Sequence, residues 1–182
     1  MYGLGLSLDQ LKERGVKIGA DVPYCLLRGT ALSEGIGEKL TPLPSMPQCQ
    51  VVIAKPGISV STRYVYENLH ANELRQEQHP DIDGMVEAIR SRDLYQVAGR
   101  FGNVLELVTE SKYPVIGELK QAMKETGALN ALMSGSGPTV FGLYASPKAA
   151  RNAYEALRYG RYASLAKQVY LTNFFNNSKP TR

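Results

Sequence analysis

Apolar residues recur along this chain at two spacings, and the change from one to the other marks out its elements. In "DIDGMVEAIRS", Ile82, Met85, Val86 and Ile89 stand at i, i+3, i+4 and i+7, which predicts a helix with one apolar face and a solvated reverse side. The pattern repeats in "DLYQVAGRFGNVLELVTE" through Leu94, Val97, Ala98, Phe101, Leu105 and Val108. A third helix, "PVIGELKQAMKETG", is expected from Pro114 to Gly127, because proline suits a first helical turn and glycine the residue beyond the last. These faces read as core and carry no chemistry.

Elsewhere the apolar runs shorten to strand length. "ALNALM" and "TVFGLYA" read as two strands joined by "SGSGP", "CQVVIAKPG" as a buried strand stopped by Pro56-Gly57, and "KQVYLTNFF" as a last strand before the polar tail "NNSKPTR". Ser146-Pro147 caps a helix over "KAARNAYEALRY", and Ser61 or Thr62 caps a short one over "STRYVYENL". Near the N-terminus, Ser7 heads a short helix containing Leu8, Leu11 and Lys12, with Gly15 and Gly19 as stop signals. "VPYCLLRGTALSEGIGEKL", broken by Gly29, Gly35 and Gly37, predicts a hairpin or irregular strand pair, and "TPLPSMPQ" a connector. The sum is an α+β fold, a mostly antiparallel sheet packed with helices, with no internal repeat.

Composition narrows the function classes. The chain has 182 residues, 43% hydrophobic and 21% charged, enough for one domain or one and a half with a buried core. Its net charge of +4 is scattered, with no run of five basic residues, so the basic balance reads as solvated surface. That argues against a nucleic-acid partner and leaves a phosphorylated small molecule open. Cys25 and Cys49 fit no zinc or disulfide framework, and His70 and His79 lie in a polar stretch, so no metal site is expected. No apolar run approaches the roughly 20 residues of a membrane span and no signal pattern opens the chain, which makes a cytoplasmic protein the expectation.

Two stretches carry candidate chemistry. In "MSGSGPTVFG", small residues free to take positive φ let several backbone N–H groups converge on one concavity, a nest suited to phosphate oxygens. A tight hairpin connection explains the same residues, and neither the Walker A pattern nor GxGxxG is present. Asp21, between Gly19-Ala20 and Val22-Pro23, reads by itself as a turn or capping residue.

Together these stretches resemble a known family. "IGADVPYCLLRGTALSEGIGEKLTPL", then "VVIAKPGISVSTRYVY", then "LMSGSGPTVFGLY", in that order, are similar to the GHMP kinase superfamily of galactokinase, homoserine, mevalonate and phosphomevalonate kinases. Within it they resemble the kinases of 4-diphosphocytidyl-2-C-methyl-D-erythritol. The Gly-Ser-Gly loop is common to the superfamily, whereas the Gly-Ala-Asp-Val-Pro block followed by Glu-Gly-Ile-Gly-Glu is narrower. The resemblance covers about Leu6 to about Tyr159. It implies ATP-dependent phosphorylation of the 2-hydroxyl of that small-molecule substrate in non-mevalonate isoprenoid synthesis, with magnesium accompanying ATP although no ligand for it is identifiable. It implies Asp21 as the catalytic base, Ile36, Thr62 and Tyr66 as lining of the substrate pocket, and Gly135, Ser136 and Gly137 as the loop beside the phosphates, with Thr139 offering a further hydroxyl. The alternatives are another kinase of the superfamily, of homoserine or mevalonate type, or a non-catalytic binding module.

The sequence departs from the family in one respect. The motif with a lysine beside the aspartate, and the Pro-x-x-x-Gly-Leu-Gly-Gly-Ser-Ser loop that cradles ATP, do not occur in it. The resemblance is to the C-terminal portion of such a kinase. It implies residues 1–31 as a remnant of the N-terminal, ATP-binding domain, 32–172 as the C-terminal, substrate-side domain, and 173–182 as a polar tail. On this reading the polypeptide alone is expected to be inactive or nearly so, and surface left uncovered in the first segment favours self-association.

Overall fold

The computed structural model describes residues 5–175. Contacts divide the chain into two compact units, one reaching to Met46 and including Phe175, the other Pro47–Phe174. That division lies later in the chain than the domain boundary implied by the resemblance.

In the first unit, α1 (Leu8–Val16) begins at Ser7, whose hydroxyl accepts from the Gln10 amide while the Gln10 side chain accepts from the Ser7 amide. Next comes α2 (Val22–Leu27), which corrects the expectation of strand from Val22 onward. Pro23 sits in its first turn, where a missing N–H costs nothing, so "VPYCLL" is helical despite its strand-like apolar content. The expected hairpin is confined to β1 (Ala31–Glu34) and β2 (Lys39–Pro42), paired antiparallel with Glu34 opposite Lys39.

The second unit is built on β3 (Gln50–Lys55). After it come α3 (Thr62–Asn68), two 3-10 turns, α4 (Ile82–Arg90), α5 (Leu94–Gly99), α6 (Glu106–Lys112) and α7 (Val115–Glu125), then β4 (Asn130–Met133), β5 (Val140–Tyr144), α8 (Pro147–Arg158) and β6 (Gln168–Asn173). The sheet is antiparallel throughout, in the order β4-β5-β3-β6. Alternation sets its faces. Val52 and Ala54 of β3 lie fully buried with Val140 of β5 and Met133 of β4, against Ile116, Leu119 and Met123 of α7 and Ala150, Ala153 and Leu157 of α8. The helical spacing of those α7 and α8 residues is what brings them to one side. Tyr144 is enclosed as well, and burial pushes its phenol up to about 12, so it is a packing group whose hydroxyl bonds the Met123 carbonyl.

The long apolar pattern from Leu94 to Val108 is not one helix. It breaks between α5 and α6, where Gly99 and Gly102 weaken the helix and the Asn103 side chain accepts from the Leu105 amide, an alternative to the helical bond. The face expected on α4 is also shifted: Ala88 and Ile89 are buried, but Ile82 at its start is 48% exposed.

One ion cluster ties this unit's helices together. Lys120 of α7 donates to Glu106 (2.6 Å) and Glu110 (2.5 Å) of α6, with only 18% of the lysine side chain exposed. Burial works to lower the ammonium pKa, but the hydrogen bonds and charges of the two carboxylates outweigh it and hold it above its usual value. Lys120→Ala strands two carboxylates near each other. It is expected to cost about 2 kcal/mol, between an exposed pair and a fully buried one. A lysine pKa raised by folding contributes stability that is complete below its unfolded value of about 10.4 and fades as pH rises through the folded one. Urea unfolding should therefore show a constant difference between wild type and variant from pH 7 to pH 9, shrinking only in stronger alkali.

Candidate functional site

The loop joining β4 to β5, residues 134–139, is where the predicted phosphate residues gather. The Ser134 amide donates to the Thr139 carbonyl at 2.8 Å and the Gly137 amide to the Ser134 carbonyl at 3.0 Å, closing a compact turn. Gly135 and Gly137 take φ of +57° and +87°, and the Gly137–Pro138 peptide is cis. A Cβ on Gly137 would come within 2.6 Å of the Met133 sulfur, so this turn needs glycine there for space as well as for conformation.

From α3, capped by Ser61, the Thr62 hydroxyl reaches the Ser136 hydroxyl at 2.8 Å. Thr62 and Ser136 are 74 residues apart in sequence, so the structure brings a predicted substrate residue against a predicted phosphate residue. Tyr66 lies one turn further along α3, with 61% of its surface exposed. Thr139 contributes its carbonyl to the turn, and its hydroxyl makes no hydrogen bond to a described residue.

The remaining two predicted residues belong to the first unit. Asp21 stands at the N-cap position of α2, but its φ and ψ of −84° and −11° are helical and its side chain makes no cap hydrogen bond. The capping explanation of Asp21 therefore fails, and its exposed carboxylate is held by no hydrogen bond or ion pair to a described residue. Ile36 sits at the tip of the β1–β2 turn with its side chain 71% exposed, its amide donating to the Glu38 carboxylate at 2.7 Å. Backbone N–H groups of Glu38 itself and then Ile36 hold that carboxyl below its usual range.

Three residues that the sequence reading missed support the loop from behind. Asn103 donates to the carbonyls of Met133 (2.9 Å) and Gly135 (2.8 Å). Glu106 accepts from the Met133 amide at 2.7 Å while pairing with Lys120, and the buried Thr109 donates to the carbonyls of Leu105 (3.1 Å) and Ser136 (3.3 Å). The signal for Asn103 was the Gly-Asn pair inside a helical pattern. For Glu106 and Lys120, 14 residues apart on different helices, there was none.

The open cavities lie beside this assembly. One of about 390 Å³ is lined by Asn103, Glu106 and Glu110. A larger one of about 640 Å³ lies between residues 77–81 and α5, with Arg100 paired to Asp81 in its wall, and takes in no predicted site residue. Burial pushes the Cys49 thiol up to about 11, which leaves it protonated and unreactive near neutrality. No group of three or more His, Cys, Asp or Glu among the described residues is placed to hold a metal ion, and no helix among them is long and apolar enough to cross a membrane.

Residues 85–162 match the family described as GHMP kinases C terminal. Over those residues the chain is similar to a GHMP kinase C-terminal domain. The matched stretch runs from α4 to α8 and includes the glycine loop with its Asn103, Glu106 and Thr109 supports. Over 177 residues the chain is 56% identical to a protein of Lachnoclostridium phytofermentans named 4-diphosphocytidyl-2-C-methyl-D-erythritol kinase, covering 97% of this chain and 59% of that protein. It aligns with a crystal structure of 4-(cytidine 5'-diphospho)-2C-methyl-D-erythritol kinase at a TM-score of 0.71 and 30% identity, covering 94% of this chain and 58% of that one. A homoserine kinase from Cytophaga hutchinsonii aligns at a TM-score of 0.76 but 20% identity, covering 97% and 60%, and so shares the fold. The chain thus spans about three fifths of the length of the relatives it matches.

Proposed function

We propose that this chain supplies the substrate side and the proton-accepting aspartate of an ATP-dependent kinase acting on the 2-hydroxyl of 4-diphosphocytidyl-2-C-methyl-D-erythritol, in non-mevalonate isoprenoid synthesis. The observation that carries the reading is the 56% identity with a protein of that name across nearly the whole chain. The likeness to homoserine kinase, at 20% identity, speaks for the shared fold and not for the alcohol. Domain roles follow the family: residues 1–31 belong with the ATP-binding domain and 32–172 with the substrate-side domain. The setting is cytoplasmic, and the partner a small molecule.

ATP supplies the phosphoryl group. The substrate's 2-hydroxyl oxygen forms a bond to the γ-phosphorus as the bond to the β,γ-bridging oxygen breaks, and ADP leaves. Such transfers depend on in-line positioning and charge stabilisation, which leaves the protein one proton to accept. Asp21 takes it. Its carboxylate is exposed and engaged with no described residue, so among these it gives up no hydrogen bond to act. Thr62 and Tyr66 hold the substrate, Tyr66 as an aromatic wall, and Ile36 adds apolar contact. The Gly135 to Gly137 turn faces the phosphates with backbone N–H groups, a fit supported by the amides of Gly135 and Ser136, which donate to no acceptor among the described residues. The described residues offer no ligand cluster for magnesium, so no step is assigned to it.

The test is a graft. Residues 1–182 replace the aligned segment of the Lachnoclostridium phytofermentans relative, and turnover is measured with the cytidylyl substrate, homoserine and mevalonate. Phosphorylation of the first alone is expected. In the same graft Tyr66→Ala is expected to raise KM for that substrate roughly tenfold, the loss of one aromatic contact, with kcat little changed. Turnover on homoserine or mevalonate would transfer the assignment to that alcohol, and no turnover on any would favour a binding module.

A further inference from the structure

Three carbonyls at the glycine loop are held by side chains behind it, while two of its amides are left without an acceptor among the described residues. The carbonyls of Met133 and Gly135 accept from the two hydrogens of the Asn103 amide, and that of Ser136 accepts from Thr109. The amides of Gly135 and Ser136 have no acceptor among the described residues. These facts are linked by the peptide group itself. The Gly135–Ser136 peptide is trans, so its C=O and its N–H point in opposite directions. Fixing the Gly135 carbonyl on Asn103 therefore fixes the Ser136 N–H away from Asn103.

We propose that Asn103 is a positioning residue that presets the Gly135–Ser136 peptide plane, so that the Ser136 N–H is already turned toward the phosphate oxygens of a bound nucleotide. This rests on the kinase reading above. Gly135 sits at φ +57° without a side chain to hinder rotation, so without Asn103 this plane is free to turn its carbonyl oxygen toward the phosphates. A carbonyl oxygen facing a phosphate repels where an N–H attracts. Asn103 is itself locked by the third bond of its side chain, from the Leu105 amide at 3.0 Å, which sets the amide's oxygen toward α6 and its nitrogen toward the loop. The break between α5 and α6 thus acquires a purpose: a continuous helix would not present this side chain to two loop carbonyls at once.

The test uses the grafted kinase described above, in which the relative supplies the ATP-cradling segment, 15N-labelled and titrated with ATP at up to millimolar concentration. In the wild type, the amide signals of Gly135 and Ser136 are expected to shift. In Asn103→Ala, the dispersed spectrum and the response of Thr62 and Tyr66 to the cytidylyl substrate should persist. The Ser136 shift should be lost, and half-saturation by ATP should rise roughly tenfold, as expected for one charge-assisted bond. A variant that responds to ATP as the wild type does overturns the proposal. Should Asn103→Ala not fold, residual dipolar couplings of the wild type decide instead: the Ser136 N–H vector should be the same with and without ATP, and a reorientation on binding overturns the preset plane. A wild-type loop that ignores ATP sinks both this proposal and the phosphate role of the loop, which separates that outcome from a failure of Asn103 alone.

Discussion

Asp21→Asn in the grafted kinase is expected to lower kcat by about 10²–10⁴-fold, the usual contribution of a positioned base. The substitution keeps the side chain's size and polarity and removes only its capacity to accept the proton, so the Kd for the cytidylyl substrate should be little changed. The surroundings of Asp21 make this a clean experiment. Its carboxylate is exposed, accepts no cap hydrogen bond from α2 and has no ion-pair partner among the described residues, so the change to asparagine disturbs no interaction with any of them. The unfolding midpoint should shift by less than the roughly ±0.5 kcal/mol of an ordinary surface change. Single-turnover measurement with pre-bound ATP separates chemistry from product release, and wild-type turnover in the variant would remove Asp21 from the proton's path.

How much of this was legible beforehand depends on the range of the interaction concerned. Helical and strand periods found β3 to β6, α4, α7 and α8, because each buries a face set by its own sequence. The order β4-β5-β3-β6 was not legible: β3 lies between its neighbours through pairings such as Val52 with Gly142 and Leu171, far away along the chain. Two local misreadings have physical causes. "VPYCLL" has strand-like composition, but Pro23 in a first turn fits a helix without loss, and the apolar face from Leu94 to Val108 hid a break because within it Leu105 is still buried and Phe101 packs edge-on against Phe141. The glycine loop was visible as a turn. What holds it, an asparagine from the break before α6 and a glutamate and a threonine on α6, was not, since side-chain to backbone bonds over some 30 residues leave no periodic trace.

The same support explains why the two glycines of that loop should differ in their tolerance of a side chain. Gly135 and Gly137 both sit at positive φ, where an L residue pays about 1–2 kcal/mol for its Cβ. Around Gly135 nothing lies within 4 Å of the added carbon, so Gly135→Ala should cost that backbone term alone. At Gly137 the added carbon meets the Met133 sulfur at 2.6 Å and the Thr109 methyl at 3.4 Å. Met133 is 1% exposed in the core and Thr109 is tied to the Leu105 and Ser136 carbonyls, so neither has space to withdraw. Overpacking of that kind adds about 1–3 kcal/mol, for a total of roughly 2–5 kcal/mol. Since a domain of this size loses about 2–4 °C of Tm per kcal/mol, Gly137→Ala should unfold several degrees below Gly135→Ala in a thermal scan. Moving Thr109 also loosens the Ser136 carbonyl it anchors, so Gly137→Ala should weaken the response of the Ser136 amide to ATP as well. Equal stabilities of the two variants would mean that the loop is not held against α6 as described.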